Sequence, residues 1–254
     1  MNNAATIDEV LLHLNDIIAQ CKTDRSPLGY FASLYRNVTA AVKQGIADQE
    51  FEDNARMERL DVVFANRFLT AYYAYRQNEI CSGCWKKAFD AGRNSNFIVL
   101  QHLLGGINAH INMDLGLAAA AIAPGDEIFK LEQDFMHIND ILAVMSGKVQ
   151  RQLSAVSWGM FIFSNISGNR EKAVINFSID MSRKAAWGIA LKYALLPQDS
   201  WINNLDDLDH TVSLLADGIF SPGRWSAFLV KMVRFTEQKD VKKIIEILEK
   251  AEPA

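Results

Sequence analysis

The stretch LQHLLGGINAHINMDLG, residues 100–116, places two histidines and an aspartate where they can do chemistry. His102, His110 and Asp114 fall in one row of four-residue steps, and each residue of a helix advances by about 100°. His110 and Asp114 are then neighbours on one face. A histidine beside a carboxylate suits a metal site or an acid–base pair in which the carboxylate orients the imidazole.

The same stretch is predicted to be buried. Between Asn96 and Ala123 there is no Lys, Arg or Glu, and Asp114 is the only acid. Surrounded by protein, these polar side chains need partners. A polar network that only fixes the packing of helices therefore remains a third interpretation, in which the stretch has no chemical role. If the segment is a site, Asn108 and Asn112 would bind substrate on its other flank.

Two further segments carry candidate groups. In DFMHIND, residues 134–140, Asp134 and His137 are three residues apart and share a helix face. They either pair locally on an exposed helix edge or supply a catalytic base. In MERLDVVFANRF, residues 57–68, Asp61 falls among Phe64 and Phe68. A carboxylate on an apolar face must be paired, protonated or bound to a metal, so Asp61 is a candidate ligand or a tuned acid.

The sequence leaves three functions open. In the first, His102, His110, Asp114 and Asp61 hold Zn, Fe or Mn, which activates water to hydrolyse an ester or phosphoester. In the second, His110 with Asp114 acts without a metal as the acid or base on a small apolar molecule. In the third, the protein is a non-catalytic helical binding or scaffold protein. An enzyme acting on a small-molecule substrate is the favoured class.

Composition narrows the partners. Half of the 254 residues are hydrophobic and the net charge is −4, which argues against a nucleic-acid surface. The most apolar run, residues 115–123, is far below the roughly 20 residues that span a bilayer. The first ten residues lack the basic and apolar regions of a secretory signal, so a cytoplasmic protein is expected. A homo-oligomer is compatible with the sequence. Cys81 and Cys84 form one CxxC, and two plain thiols at a helix entrance are the favoured interpretation.

Helices must position these groups, because the apolar spacing is helical along almost the whole chain. Prolines fall where helices begin or loops run, and Gly147 is expected to break a helix. The pattern predicts an all-α, single-domain bundle of about ten helices over residues 1–254. The predicted helices cover about residues 6–22, 27–45, 53–78, 83–91, 95–122, 126–146, 149–164, 170–195, 200–217, 222–235 and 238–251.

Three blocks of this sequence together resemble a known family. MERLDVVFANRF, LQHLLGGINAHINMDLG and DFMHIND are similar to the core of a mostly bacterial family, domain of unknown function 5995, over roughly residues 30–225. The resemblance implies a mainly helical protein and no established chemistry. It adds Arg59, Asn66 and Asn139, each within a matching block, as candidate substrate-binding residues.

Overall fold

The computed structural model describes residues 3–157, 159, 170–221 and 223–250, and over these ranges the protein is all-α, as predicted. In chain order the α-helices are α1 (Ile7–Asp24), α2 (Leu28–Ala47), α3 (Asn54–Arg76), α4 (Gly83–Asp90), α5 (Val99–Ile107), α6 (Gly116–Ile122), α7 (Glu127–Val156), α8 (Arg170–Leu195), α9 (Ile202–Phe220), α10 (Arg224–Thr236) and α11 (Val241–Glu249). A π-helix, Asn108–Leu115, joins α5 to α6.

Side chains fix where several of these helices begin. Thr6 caps α1 by accepting a hydrogen bond from the backbone of Glu9, and Asp53 caps α3 by accepting one from the backbone of Arg56 at 2.9 Å. Such caps satisfy backbone N–H groups that have no partner within the helix. The start of α3 is thereby set, and with it the direction of Asp61 two turns later.

Helix α2 lies at the centre of the bundle, in contact with α1, α3, α5, α7 and α11. Buried apolar side chains form a continuous cluster that extends along the chain from Ala4 to Leu248. The face of α2 that carries Phe31 and Tyr35 is turned toward α3, α5 and the π-helix. The site described below lies in that space. A single domain over the full chain stays a prediction.

Two local predictions were wrong. Gly147 does not end a helix, because α7 continues through it to Val156; a single glycine costs an exposed helix only about 1 kcal/mol relative to alanine. The predicted helix over 149–164 is thus partly the end of α7, and its part beyond Ser157, apart from Gly159, lies outside the described residues. The predicted helix over 95–122 instead contains the π-helix. In the described part of the chain, no helix is long and apolar enough to cross a membrane.

Candidate functional site

The carboxylate of Asp114 is fully engaged inside the protein. Its Oδ1 accepts a hydrogen bond from Arg67 Nε at 3.0 Å, and its Oδ2 accepts one from Trp85 Nε1 at 2.8 Å. His110 Nδ1 lies 3.5 Å from the same Oδ2. The arginine charge and the indole N–H offset the cost of burying this carboxylate. Asp114 is therefore held in one position, from which it orients His110.

His110 is enclosed by aromatic rings. Its ring stacks on Phe64 at 3.6 Å between centroids and meets the edge of Tyr35 at 4.3 Å. Burial lowers the pKa of His110, although the bond to Asp114 acts in the opposite direction. The imidazole is then neutral near pH 7. A proton on Nδ1, facing Asp114, leaves Nε2 as an acceptor, and Nε2 has no hydrogen-bond partner among the described residues.

His110 and Asp114 lie on the π-helix, whose turns are wider than those of an α-helix. Such turns are rare and concentrate at functional sites. Gly106, in the turn before His110, allows a close approach, because an added Cβ would lie 2.4 Å from ring carbons of Phe31. The space that Gly106 leaves is filled by this aromatic ring, which also forms part of the cavity wall described below.

Asp61 on α3 is buried with an unsatisfied oxygen. Within the described ranges, its Oδ2 has no hydrogen-bond partner. Burial, with a smaller contribution from the charge of Glu58, raises the pKa of Asp61 to about 7. Tyr35 on α2 shares this environment: its hydroxyl also lacks a partner of good hydrogen-bond geometry, and burial followed by the charge of Asp61 raises its pKa well above the ordinary value.

These groups line one cavity of about 150 Å³. On α2 the lining runs from Phe31 to Val42, about 16 Å at 1.5 Å per residue, so the space is narrow and elongated. Most of the wall is apolar, and the polar lining residues are Tyr35, Asp61, His110, Gln150 and Arg183. Apolar cavities of about this volume hold a molecule the size of benzene. The unpartnered atoms of Asp61, His110 and Tyr35 therefore belong to residues that share one apolar space.

The other polar residues of the histidine stretch lie elsewhere. His102 packs against the edges of Tyr30 and Phe97, and burial lowers its pKa to about 4. Asn108 donates to the carbonyl of Val212 on α9 at 3.0 Å and accepts from Asn112 at 2.9 Å. These two amides connect the π-helix to α9 and are not among the residues that line the cavity. Their role as substrate-binding groups stays a prediction.

Asp134 on α7 holds the connection between α2 and α3 through hydrogen bonds. It accepts hydrogen bonds from the backbone N–H groups of Glu52 and Asp53, at 2.7 and 3.1 Å, and from Arg56 at 2.8 Å. It is 1% exposed and closes the connection between α2 and α3 onto α7. A carboxylate with three donors and no place in the cavity lining has little freedom to act as a base.

The remaining predicted residues are not among those that line the cavity, although Asn139 contacts the lining residue Arg183. His137 is half-buried, with Nδ1 3.2 Å from Asp140 and its ring at the edge of Phe51. Asn139 accepts a hydrogen bond from Arg183.

Two more of the predicted residues lie on α3. Arg59 is exposed. Asn66 makes two hydrogen bonds with the backbone of Ala4, which tie the start of the chain to α3. These contacts do not bring Arg59, Asn66, His137 or Asn139 to Asp61 and His110.

The described residues do not form a metal site. Among them, no group of three or more His, Cys, Asp and Glu side chains has the geometry to hold an ion. Two of the four predicted ligands are not available to a metal. His102 lies among aromatic rings, and both oxygens of Asp114 already accept hydrogen bonds from the protein. The two that share the cavity, Asp61 and His110, are too few to hold a metal alone.

Three important residues were missed by reasoning from the sequence. Arg67 and Trp85 hold Asp114, and Tyr35 lines the cavity beside His110. Trp85 directly follows the CxxC motif, and its partner Asp114 is 29 residues distant, so no local pattern connects the two. For Tyr35 the sequence offers a weak signal, because it falls on the same face of α2 as Phe31, one turn away.

Comparison with known proteins gives one match. The model of a family of unknown function (DUF5995) matches residues 7–222. The match covers most of the chain, so the protein belongs to this family. No curated protein and no solved structure matches it.

Proposed function

We propose that this member of the DUF5995 family binds a small, mostly apolar molecule in the cavity lined by α2, α3, α5, the π-helix, α7 and α8. It catalyses acid–base chemistry on one oxygen-bearing group of that molecule. The observation that supports this most is the grouping of three unsatisfied polar atoms on residues lining one apolar space: Asp61 Oδ2, His110 Nε2 and Tyr35 Oη. Buried polar atoms are nearly always hydrogen-bonded, so three exceptions around one cavity point to a ligand.

The protonation states support catalysis as well as binding. With a pKa of about 7, Asp61 holds its proton in about half of the molecules at neutral pH. His110 is neutral and presents Nε2 as a base, because Asp114 accepts the Nδ1 proton. A protonated carboxyl and a neutral imidazole across one substrate form an acid–base pair, and such a pair works best when its pKa values lie near the working pH.

In the proposed reaction His110 Nε2 takes a proton from the substrate while Asp61 gives one to a substrate oxygen. The neutral Tyr35 hydroxyl donates a hydrogen bond to that oxygen. The protein gains one proton and loses one, so an isomerisation or a dehydration needs no further reactant. Because the cavity is narrow and its wall is apolar, the rest of the substrate is expected to be a hydrocarbon chain or a ring.

A non-catalytic carrier for the same molecule is the second candidate, since the cavity supports binding in either case. The contacts of the described residues do not favour metal-dependent hydrolysis, because Asp114 is engaged by Arg67 and Trp85. A cytoplasmic location, a homo-oligomer and the absence of a nucleic-acid partner stay predictions.

The test is turnover of an apolar metabolite extract by the purified protein, followed by mass spectrometry. We expect one compound to be consumed by the wild type and to persist with Asp61→Asn and with His110→Gln. His102→Gln is the matched control, because it changes a buried histidine outside the cavity lining. Activity should fall above pH about 7, where Asp61 loses its proton. A compound that is retained but never converted would support the carrier. If no compound is either retained or converted, the proposal is contradicted.

A further inference from the structure

Helix α10 presents an apolar face to the outside of the molecule. Phe228, Met232 and Phe235 are 56%, 55% and 88% exposed. Their spacing of four and three residues places them on one side of the helix. Three large apolar side chains on one exposed face are more than the isolated surface apolar residues of ordinary proteins, and such patches mark interaction sites.

The opposite face of α10 is anchored next to the cavity. Val233 is buried against Ile98, and Leu100 and Val230 pack on that pair. Leu100 also lines the cavity. At its end the helix is held by Thr236, whose hydroxyl accepts a hydrogen bond from the backbone of Gly159 at 2.9 Å. Helix α10 thus lies between the cavity wall at Leu100 and the exterior.

The charge around this helix differs from that of the whole protein. From Arg224 to Lys243 there are six basic residues and two acids, whereas the complete chain carries a net charge of −4. Lys231 falls beside the apolar face, and Lys239, Lys242 and Lys243 follow it in exposed positions. A helix with exposed Phe and Met on one side, one lysine beside them and three more lysines in the segment that follows has a composition suited to the interface of anionic membranes.

We infer that α10 is a membrane-docking helix that inserts Phe228, Met232 and Phe235 into the surface of an anionic lipid bilayer. A lipid surface satisfies both features at once, because the headgroups attract the lysines and the acyl region accepts the apolar side chains. A second copy that docks through the same face would bring its own lysines against these, so it would satisfy only the apolar side chains. If the cavity also binds an apolar molecule, as proposed above, docking brings its Leu100 end toward the lipid bilayer in which such a molecule dissolves.

Vesicle flotation of the full-length protein tests the docking without any cavity ligand. The probe is phosphatidylcholine vesicles with and without about 30% phosphatidylglycerol. We expect the wild type to bind the anionic vesicles at low salt and to be released by high salt. Met232→Ser with Phe235→Ser should weaken binding about tenfold or more, because each side chain loses its transfer into the apolar phase. Lys231→Gln with Lys239→Gln should weaken binding to the anionic vesicles specifically.

The matched control is Ile80→Ser with Ile202→Ser. These residues are 99% and 74% exposed, so the control removes as much exposed apolar surface from other parts of the fold. It should bind like the wild type, and circular dichroism should show that every variant is folded. Failure of the wild type to bind either vesicle, or equal binding by the Met232/Phe235 variant, would overturn the inference. So would a dimer in solution that this variant makes monomeric while vesicle binding is absent.

Discussion

Two buried aspartates of this protein have opposite surroundings. Asp134 is 1% exposed and accepts hydrogen bonds from two backbone N–H groups and from Arg56. Asp61 is 8% exposed, and its Oδ2 has no partner within the described part of the chain. Asp134 is enclosed by protein, whereas Asp61 lines an apolar cavity.

The difference separates a carboxylate that stabilises the fold from one that is available to a ligand. Both residues are candidates from the sequence, because each is an acid within an apolar helical segment. Burial alone does not distinguish them. The two aspartates differ in the number of hydrogen-bond donors that reach each carboxylate. A carboxylate whose oxygens all have donors stabilises the fold, whereas one with an unpaired oxygen is retained at a cost in stability.

The largest effect is expected for Asp134→Ala. The change leaves the guanidinium of Arg56 and two backbone N–H groups without their acceptor, which should lower the free energy of unfolding by about 3–5 kcal/mol. Urea denaturation measures it. Asp140→Ala on the same helix is the control, since that side chain is 80% exposed and its loss should cost under about 1 kcal/mol. A small effect at Asp134 would remove the distinction between the two aspartates.

Asp61→Asn should raise the free energy of unfolding at high pH, whereas Asp134→Ala lowers it. The pKa of Asp61 is about 7 in the folded protein against an ordinary value of 3.8. Between these values the folded protein keeps a proton that the unfolded chain has lost, so raising the pH destabilises the wild type by up to about 1.4 kcal/mol per unit. The penalty is absent below 3.8 and complete above 7.

The asparagine variant lacks this slope, and we expect it to be more stable than the wild type by roughly 1–3 kcal/mol at pH 8, with the difference shrinking toward pH 4. Urea denaturation across this pH range measures the difference. A difference that does not change with pH would show that Asp61 is an ordinary ionised carboxylate.

The smallest effect concerns the support of Asp114. Trp85→Phe removes the 2.8 Å hydrogen bond to Asp114 Oδ2 and keeps an aromatic ring at that place. A double-mutant cycle with Asp114→Ala, which removes the acceptor, separates this bond from the lost volume. We expect a coupling energy of about 1 kcal/mol or somewhat more, because the acceptor is charged. A coupling near zero would mean that Trp85 does not hold the group that orients His110.

Much of the fold was predictable from the sequence, because it depends on local patterns. The helical spacing and Pro27 predict the bounds of α1 to α4 within a few residues. The pairing of His110 with Asp114 was also predictable, since it needs only one helical turn. The continuation of α7 through Gly147 was not, because tertiary packing overrides the weak preference of one glycine.

The candidate site was less predictable, because its decisive contacts join distant parts of the chain. Arg67 reaches Asp114 across 47 residues, and Arg56 reaches Asp134 across 78. No spacing rule connects such residues. The sequence therefore shows that Asp61, Asp114 and Asp134 need partners, and only the fold shows which of them lacks one.

The most direct test of the site compares two molecules of the same shape, phenol and toluene, by calorimetric titration. A purely apolar cavity prefers toluene, because phenol loses its hydrogen bonds to water. We predict that the wild type prefers phenol, whose hydroxyl pairs with Asp61, His110 or Tyr35, and that Asp61→Leu reverses the preference. A wild type that prefers toluene, with the same order in Asp61→Leu, would contradict the assignment of this cavity as a polar-headed ligand site.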